Sequence, residues 1–407
     1  MNTVLISVLF LSAINPSTSQ VVRVRDDNGD TKEFDTIQEC VDDIDAKWKA
    51  TCKIHAGVYH EQINIKDKKD ITIEPHEDNT GRVVIDGTVE LKPKDGEQWK
   101  MDSEKRCYGI LDETLHKGNW GHDVFQLFFD GEMMTNARWP NALWNDDNKT
   151  VFNETYWAHS HKNSKRGDLI GDGEDRYRIS TMIDDGTAGL DKLKFKLKPD
   201  DDDDTAMAVL NVGSFNTFVK PVLDHESETN SFTYIDDFDS FKKVGQNWVQ
   251  TKIQYYPEHN RYYLDSKLEF LDNPGEWHFN KKTRQLTFIP FKDTCPNSEN
   301  GDCKCPDVND KSTGILRGRV MDYSMIIFKT ERATVKDIDF FASTISATND
   351  KVRKFRKMVL DSVKFDFPSS SRRMLKDPAV PKSTEILTNM IGSQYNEDGT
   401  EKKNWTP

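Results

Sequence analysis

The sequence has no long hydrophobic run and little apolar content. Hydrophobic residues make up 35% of the 407 residues, and no stretch approaches the roughly 18 consecutive apolar residues that a transmembrane helix needs. Positive charge is also in short supply, since the formal net charge of -13 at pH 7 repels phosphate backbones and anionic lipid headgroups. We therefore expect neither nucleic-acid binding nor membrane insertion. The aromatic content of 10% nevertheless argues for a folded chain.

Several motifs of common enzymes are missing. The histidines show no H-E-x-x-H spacing, no G-x-S-x-G string is present, and no phosphate-binding glycine-rich loop follows a predicted strand. These absences argue against a zinc protease, a serine hydrolase and a kinase. The acidic run Asp200–Asp204 can attract calcium, but it lacks the alternating ligands and the glycine of a calcium loop. We expect no metal site and no cofactor, with calcium as the open alternative.

The N-terminus is typical of a secretory signal. An apolar stretch over Val4–Ile14 precedes the small residues Ser17 and Ser19, which places the cleavage site before Gln20. Residues 1–19 are therefore predicted to be a signal peptide. The mature protein is expected to be secreted and extracellular.

The six cysteines fit disulfides in an oxidising compartment. Cys40 and Cys52 are near neighbours in sequence and can pair. Cys295, Cys303 and Cys305 form a cluster with one member left over to reach Cys107. The C-x7-C-x-C spacing, without a nearby histidine, matches no common zinc site. Three N-glycosylation sequons point to the same compartment: Asn148, Asn153 and Asn404.

Short apolar segments follow one another near the N-terminus. An amphipathic helix is predicted over Asp35–Ala46, and strands are predicted over Cys52–His55, Gln62–Ile65, Asp70–Glu74 and Arg82–Asp86. These strands are too short and too frequent for a βαβ fold.

Near the end of the chain, three apolar positions recur at a spacing of 25 residues. Such a period is a plausible length for one coil of a β-helix, in which each coil stacks its backbone hydrogen bonds on the next. Chance recurrence is the alternative. The two copies are Val335, Ile338 and Phe340, and Leu360, Val363 and Phe365.

The segment between these stretches has aromatic-rich strands between polar loops. Strands are predicted over Val124–Phe129, Lys192–Leu197, Asn247–Tyr256 and Leu286–Ile289, a pattern typical of an antiparallel β-domain. We therefore divide the mature chain into four parts. They are residues 20–118, the cap and first coils; residues 119–290, the inserted β-domain; residues 291–367, further coils; and residues 368–407, a polar tail.

Three stretches carry a family resemblance. Ile37–Cys40 followed by Ala56–Glu61 (AGVYHE) resembles the opening of pectate-lyase-like β-helix proteins. Ala137–Asn141 (ARWPN) and Leu271–Phe279 (LDNPGEWHF) resemble signatures of secreted right-handed β-helix proteins with an inserted β-barrel, among them α-1,3-galactosidase-like glycoside hydrolases. The matches span roughly residues 35–367.

This resemblance implies an all-β protein: a right-handed parallel β-helix (pectin-lyase-like solenoid) with an N-terminal cap helix and an inserted antiparallel β-domain. It also implies a glycosidase-like function on an extracellular polysaccharide or other glycan. Only about two coils follow the insertion, so we expect either a C-terminally truncated form or a tail with a fold that its pattern does not indicate. The alternatives are a non-catalytic glycan- or protein-binding paralogue and a polysaccharide lyase.

Candidate site residues follow from glycoside chemistry. Glycoside hydrolysis needs two carboxylates, and Asp337, Asp339, Asp361 and Asp366 lie on the two late coils, where a β-helix enzyme places its acids. Each of them can instead cap a turn or face water.

Aromatic and basic residues in the signatures supply candidate sugar contacts. An exposed indole can stack on a sugar ring, so Trp139 and Trp277, together with Arg138, are candidate substrate-binding residues. The alternative is that these residues anchor the insertion to the β-helix.

Overall fold

The computed structural model describes residues 21–25, 29–112, 126–144, 150–173, 176–198, 205–213, 216–291, 304–319, 321, 323–348 and 357–368. These residues form strands in mixed sheets, so the predicted all-β class is confirmed. They fall into two compact units. The first unit contains the described residues up to Thr88 and from Met321 onward, and the second contains those from Val89 to Arg319.

The strands of the first unit are short, and we number all strands along the chain. The unit contains β1 (Val21–Arg25), β2 (Thr31–Phe34), helix α1 (Ile37–Asp43), β3 (Lys49–Ile54), β4 (Gly57–Tyr59), β5 (Ile63–Lys66), β6 (Asp70–Pro75), β7 (Val83–Asp86), β26 (Met325–Phe328), β27 (Arg332–Lys336), β28 (Ile338–Phe341), β29 (Ile345–Thr348), β30 (Lys357–Asp361) and β31 (Lys364–Asp366).

Three sheets of the first unit contain parallel strands stacked one above another. These strands run β3-β6-β27-β30, β4-β7-β28-β31 and β5-β26-β29. Strands β1 and β2 extend the first of these sheets beyond β3 in antiparallel pairing. The chain visits the three sheets in turn. The predicted repeat is confirmed in the register, because Val335 pairs with Leu360 and Phe340 pairs with Phe365.

The interior of this unit is filled by every second side chain of its strands. Val83 and Ile85 on β7, and Ile338 and Phe340 on β28, are fully buried. Because side chains alternate across a strand, the residues between them point outward. The interior is therefore an apolar column, to which each passage of the chain through the sheets adds one layer.

Helix α1 covers one end of this column. The side chain of Thr36 accepts a hydrogen bond from the backbone N–H of Glu39. The side chain of Glu39 in turn accepts one from the backbone N–H of Thr36, so a capping box starts the helix. Ile37 and Cys40 are buried, and Cys40 forms a disulfide with Cys52 on β3. The predicted helix is thus present with shorter bounds than its sequence pattern indicated.

The second unit is built mainly from antiparallel strands. It contains β8 (Thr88–Glu90), β9 (Lys100–Met101), β10 (Cys107–Ile110), β11 (Leu127–Phe129), β12 (Glu132–Met133), β13 (Thr135–Asn136), β14 (Arg138–Trp139), β15 (Ala158–His159), β16 (Arg178–Ile183), β17 (Met207–Val212), β18 (Asn216–Asp224), β19 (Ser231–Asp236), β20 (Ser240–Val244), β21 (Asn247–Thr251), β22 (Arg261–Asp265), β23 (Glu276–Asn280), β24 (Gln285–Phe288) and β25 (Leu316–Arg319).

These strands form a seven-stranded sheet (β14-β22-β17-β18-β19-β16, with β15 on β22), a five-stranded sheet (β13-β23-β24-β10-β9), a four-stranded sheet (β12-β11-β25-β8) and the hairpin β20-β21. A disulfide joins Cys107 to Cys305, while Cys295 and Cys303 lie outside the described residues. The predicted insertion over 119–290 falls within this unit. The unit itself starts earlier, because β10 pairs with β24.

No helix in the part of the chain that the structure describes is long and apolar enough to cross a membrane.

Candidate functional site

The outward side of the sheet β4-β7-β28-β31 carries a set of polar side chains around one aromatic ring. Since Ile85, Phe340 and Phe365 occupy the interior, the residues beside them in sequence point away from it. Val84 is one of these outward residues, and we call the polar and aromatic ones the polar face. They are His60, Arg82, Asp86, Asp339, Phe341, Lys364 and Asp366.

Two carboxylates and a phenyl ring form one row of the polar face. Asp86 is in register with Phe341, and Phe341 is in register with Asp366. Adjacent strands lie ~4.8 Å apart, so the Cα atoms of Asp86 and Asp366 are separated by roughly 10 Å. The ring of Phe341 meets that of Phe367 edge-on at 5.7 Å between centroids. The row thus places an aromatic surface between two acids.

Both oxygens of Asp86 are oriented. Oδ1 accepts the backbone N–H of Thr88 at 2.8 Å, and Oδ2 lies 3.5 Å from Nδ1 of His60. The Asp86 side chain is only 10% exposed, whereas the ring of His60 is 40% exposed. A partly buried carboxylate is therefore held next to an imidazole that solvent reaches.

The other two acids of the polar face are engaged in ion pairs. Arg82 binds both oxygens of Asp339, with 2.9 Å between Nε and Oδ2, and this hydrogen bonding raises the pKa of Arg82 above its ordinary value. Nζ of Lys364 lies 2.6 Å from Oδ2 of Asp366, whose side chain remains 39% exposed. Asp339 is thus fixed by two bonds, while Asp366 is paired but open to water.

Asp337 and Asp361 do not join this row. Asp337 has a φ of 53° in the turn between β27 and β28, and its backbone N–H donates to the carbonyl of Asp361 at 2.9 Å. The carboxylate of Asp361 accepts the hydroxyl of Ser362 at 3.1 Å. Asp337 therefore lies in a turn between stacked strands, and Asp361 ends β30 next to the following turn. Of the four predicted acids, the structure places Asp339 and Asp366 on one face.

The predicted sugar contacts Arg138 and Trp277 are buried in the second unit. Arg138 is 4% exposed and donates to the carbonyls of Pro140 at 3.0 Å and Tyr156 at 2.9 Å. Trp277 is 3% exposed within an apolar cluster. Both side chains are thus packed inside the second unit, and their contact with a sugar stays a prediction. Trp139 is half-buried against a second apolar cluster.

The sequence reasoning missed Glu276, a fully buried carboxyl in the same signature. Its Oε2 accepts the backbone N–H groups of Asp272 at 3.2 Å and Asn273 at 3.1 Å. Burial raises the pKa of Glu276 to about 8. Next to it, the amide of Asn141 donates to Asp272 at 2.9 Å, so the two signature strings meet in space. Glu276 holds the loop that makes this junction.

Of the remaining predicted glycosylation and calcium sites, only one lies among the described residues. Asn153 is exposed at the start of a short 3-10 turn, where its Oδ1 accepts the backbone N–H of Thr155 at 3.0 Å. Asn148, Asn404 and the run Asp200–Asp204 lie outside the described residues. In the part of the chain that the structure describes, no group of three or more His, Cys, Asp or Glu side chains is placed to hold a metal ion.

Comparison with known proteins yields only distant similarities. No family model matches the chain, and no curated protein matches it. A solved structure described as a glycoside hydrolase is 14% identical with a TM-score of 0.41 and covers 71% of this chain. A second, described as the complex structure of XylC with xylose, is 10% identical with a TM-score of 0.28 and covers 76% of this chain. The chain spans 42% and 32% of the lengths of these two proteins.

Proposed function

We propose that the protein is a secreted, carbohydrate-active protein whose first unit is a right-handed parallel β-helix that binds a glycan along its polar face. The β-helix is supported by three parallel sheets visited in turn and by one shared apolar interior. The two disulfides favour secretion. One observation carries the functional proposal: Phe341 stands between Asp86 and Asp366 in one register. An aromatic surface flanked by hydrogen-bonding carboxylates suits a sugar ring.

The proposed reaction is glycoside hydrolysis by Asp86 and Asp366. The two residues stand two strand spacings apart, with Cα atoms separated by roughly 10 Å, which leaves room between them for the attacking water that inverting enzymes use. Asp86, oriented by Thr88 and His60, protonates the leaving glycosidic oxygen. Asp366, which water reaches, takes a proton from the water that attacks the anomeric carbon. The glycosidic C–O bond breaks as the new C–O bond forms, with inversion.

The test is turnover of the full-length secreted protein on chromogenic glycosides and on plant, algal and animal polysaccharides. Release of reducing ends reports hydrolysis, and absorbance of unsaturated uronates reports elimination. Asp86→Asn and Asp366→Asn are each expected to lower kcat/KM by roughly 10²–10⁴-fold. Asp361→Asn is the matched control, because Asp361 ends β30 and lies outside the row of Asp86, Phe341 and Asp366. Equal activity of all three variants would rule out the assigned pair.

Glycan binding without catalysis is the second candidate function. It is favoured by the ion pairs that neutralise Asp339 and Asp366, because a paired carboxylate still accepts hydrogen bonds but is a weaker base. Under this proposal the protein binds a glycan without turnover, and Phe341→Ala weakens binding at least about tenfold through lost stacking. Unsaturated products would instead indicate a lyase.

A further inference from the structure

The apolar column of the first unit is covered at one end by α1. The backbone N–H groups of Ile37 and Gln38 donate to the side chain of Glu61 at 3.0 Å each. The side chain of Gln38 exchanges hydrogen bonds with the backbone of Asn64 on β5. A helix with an apolar stripe therefore lies across the first coil and removes its interior from water.

The opposite end of the column has no such cover in the described part of the chain. The interior residues of the last layer are only half-buried, whereas their counterparts one coil earlier are fully buried. We call the last layer the end layer. It consists of Met358, Leu360, Val363 and Phe365, of which Met358, Leu360 and Phe365 pair with Ala333, Val335 and Phe340 of the preceding coil.

Backbone groups add to the exposure at this end. Strands β29, β30 and β31 are each the last strand of their sheet in the residues that the structure describes. A sheet edge beside exposed apolar side chains is a site for pairing or aggregation, and proteins commonly cover such an edge with a helix or loop. The end layer therefore calls for an apolar partner.

The chain contains a segment with the pattern such a partner needs. Ile386, Leu387, Met390 and Ile391 follow one another at i, i+1, i+4 and i+5, which places them on one face of a helix. Ser383 precedes this run as a helix N-cap residue and Gly392 follows it as a stop signal. The arrangement parallels that of α1, where Thr36 precedes buried residues spaced by helical periodicity.

We propose that residues 383–392 dock on the end layer as a second capping helix. The linker from Ser369 to Lys382 spans up to roughly 45 Å when extended, which is ample for a turn back onto the last coil. Docking buries the apolar faces of both the segment and the end layer. This proposal is independent of the carbohydrate function.

The first test uses the natural lysines of the unmodified full-length protein. Lys382 adjoins the segment, while Lys357 and Lys364 border the end layer. An amine-reactive cross-linker applied to the monomer is expected to join Lys382 to Lys357 or Lys364 several-fold more often than to Lys53 on the first coil. Equal cross-linking to all three lysines would overturn the proposal.

The second test compares two single variants by hydrogen exchange. Leu387→Asp places a charge on the apolar face of the segment, and Thr388→Asp places it on the opposite face. We expect Leu387→Asp to speed exchange in β30 and β31 by about tenfold or more, with Thr388→Asp unchanged. Exchange in β3 and β6 should stay constant in both.

Two results contradict docking of the segment. The first is identical exchange of β30 and β31 in the native protein and Leu387→Asp. The second is a concentration-dependent dimer, seen by light scattering, that protects β30 and β31 equally in both proteins, because a second copy of the chain would then cover the end layer.

Discussion

The stacked phenyl rings of Phe340 and Phe365 give the sharpest test of the parallel stack in the first unit. Phe340 is fully buried, and its ring lies 5.1 Å from that of Phe365 at an interplanar angle of 19°. Phe340→Ala removes a buried ring and leaves a cavity, which costs about 3–5 kcal/mol of unfolding free energy. Phe365 is half-buried, so Phe365→Ala should cost about half as much.

The neighbouring residue supplies the control. Phe341 has the same side chain one position further along β28, but it points outward. Phe341 is half-buried like Phe365 and meets the ring of Phe367, so Phe341→Ala should cost about 1–2 kcal/mol. Phe340→Ala should therefore cost clearly more than either of the other two variants, as the alternation of β28 requires.

The assay is denaturant unfolding with both disulfides intact, in which the shift of the midpoint multiplied by the slope gives the change in free energy. Because the chain has two compact units, exchange of amides in β27 and β28 should report the first unit separately. Similar costs for Phe340→Ala and Phe341→Ala would refute the assignment of Phe340 to the interior.

Three further predictions concern single groups. Burial raises the pKa of Glu276 from 4.5 to about 8, so between those values the folded state keeps a proton that the unfolded state releases. The unfolding free energy should therefore fall by up to about 1.4 kcal/mol per pH unit from pH 5 to pH 8, and Glu276→Gln should remove this slope in denaturation series. The Cys107–Cys305 disulfide has a sequence separation of 198 and the Cys40–Cys52 disulfide one of 12. Replacing each pair by serine should cost about 5 and about 3 kcal/mol in chain entropy, and equal midpoint shifts would contradict that reasoning. Thr36→Ala removes the capping box of α1 and should lower stability by about 1 kcal/mol, measured by thermal unfolding against Thr31→Ala, a change on an exposed strand residue.

Periodic features were predictable from the sequence because they follow from burial alone. The spacing of 25 residues between Val335 and Leu360 reappears as a direct strand pairing. Close spacing likewise predicted the partner of Cys40. For Cys107, the sequence predicted a partner within a cluster of three, and the structure pairs it with Cys305. In each case a local sequence pattern or a small set of possible partners was sufficient to predict the contact.

Features that depend on tertiary surroundings were not predictable. A strand was predicted over Lys192–Leu197 because polar and apolar residues alternate there. In the structure exposed and less exposed side chains still alternate, but the segment does not pair with another strand, so no strand forms. Arg138 and Trp277 have side chains that suit either a sugar or a core, and only their neighbours decide between the two. The turn geometry that removes Asp337 from the polar face depends on its positive φ, which no residue type dictates.

The candidate site also depends on an adjacency that sequence distance conceals. Asp86 precedes the second unit and Phe341 follows it, yet β7 and β28 pair in one register. A slip of one residue would turn Phe341 inward and Phe340 outward. Gly87 helps to fix that register, because its N–H donates to the carbonyl of Phe341 at 2.9 Å and an added Cβ would lie 2.5 Å from the carbonyl oxygen of Ala342. Gly87, which directly follows β7, thus lets the returning chain approach closely enough to bring the ring of Phe341 beside the carboxylate of Asp86.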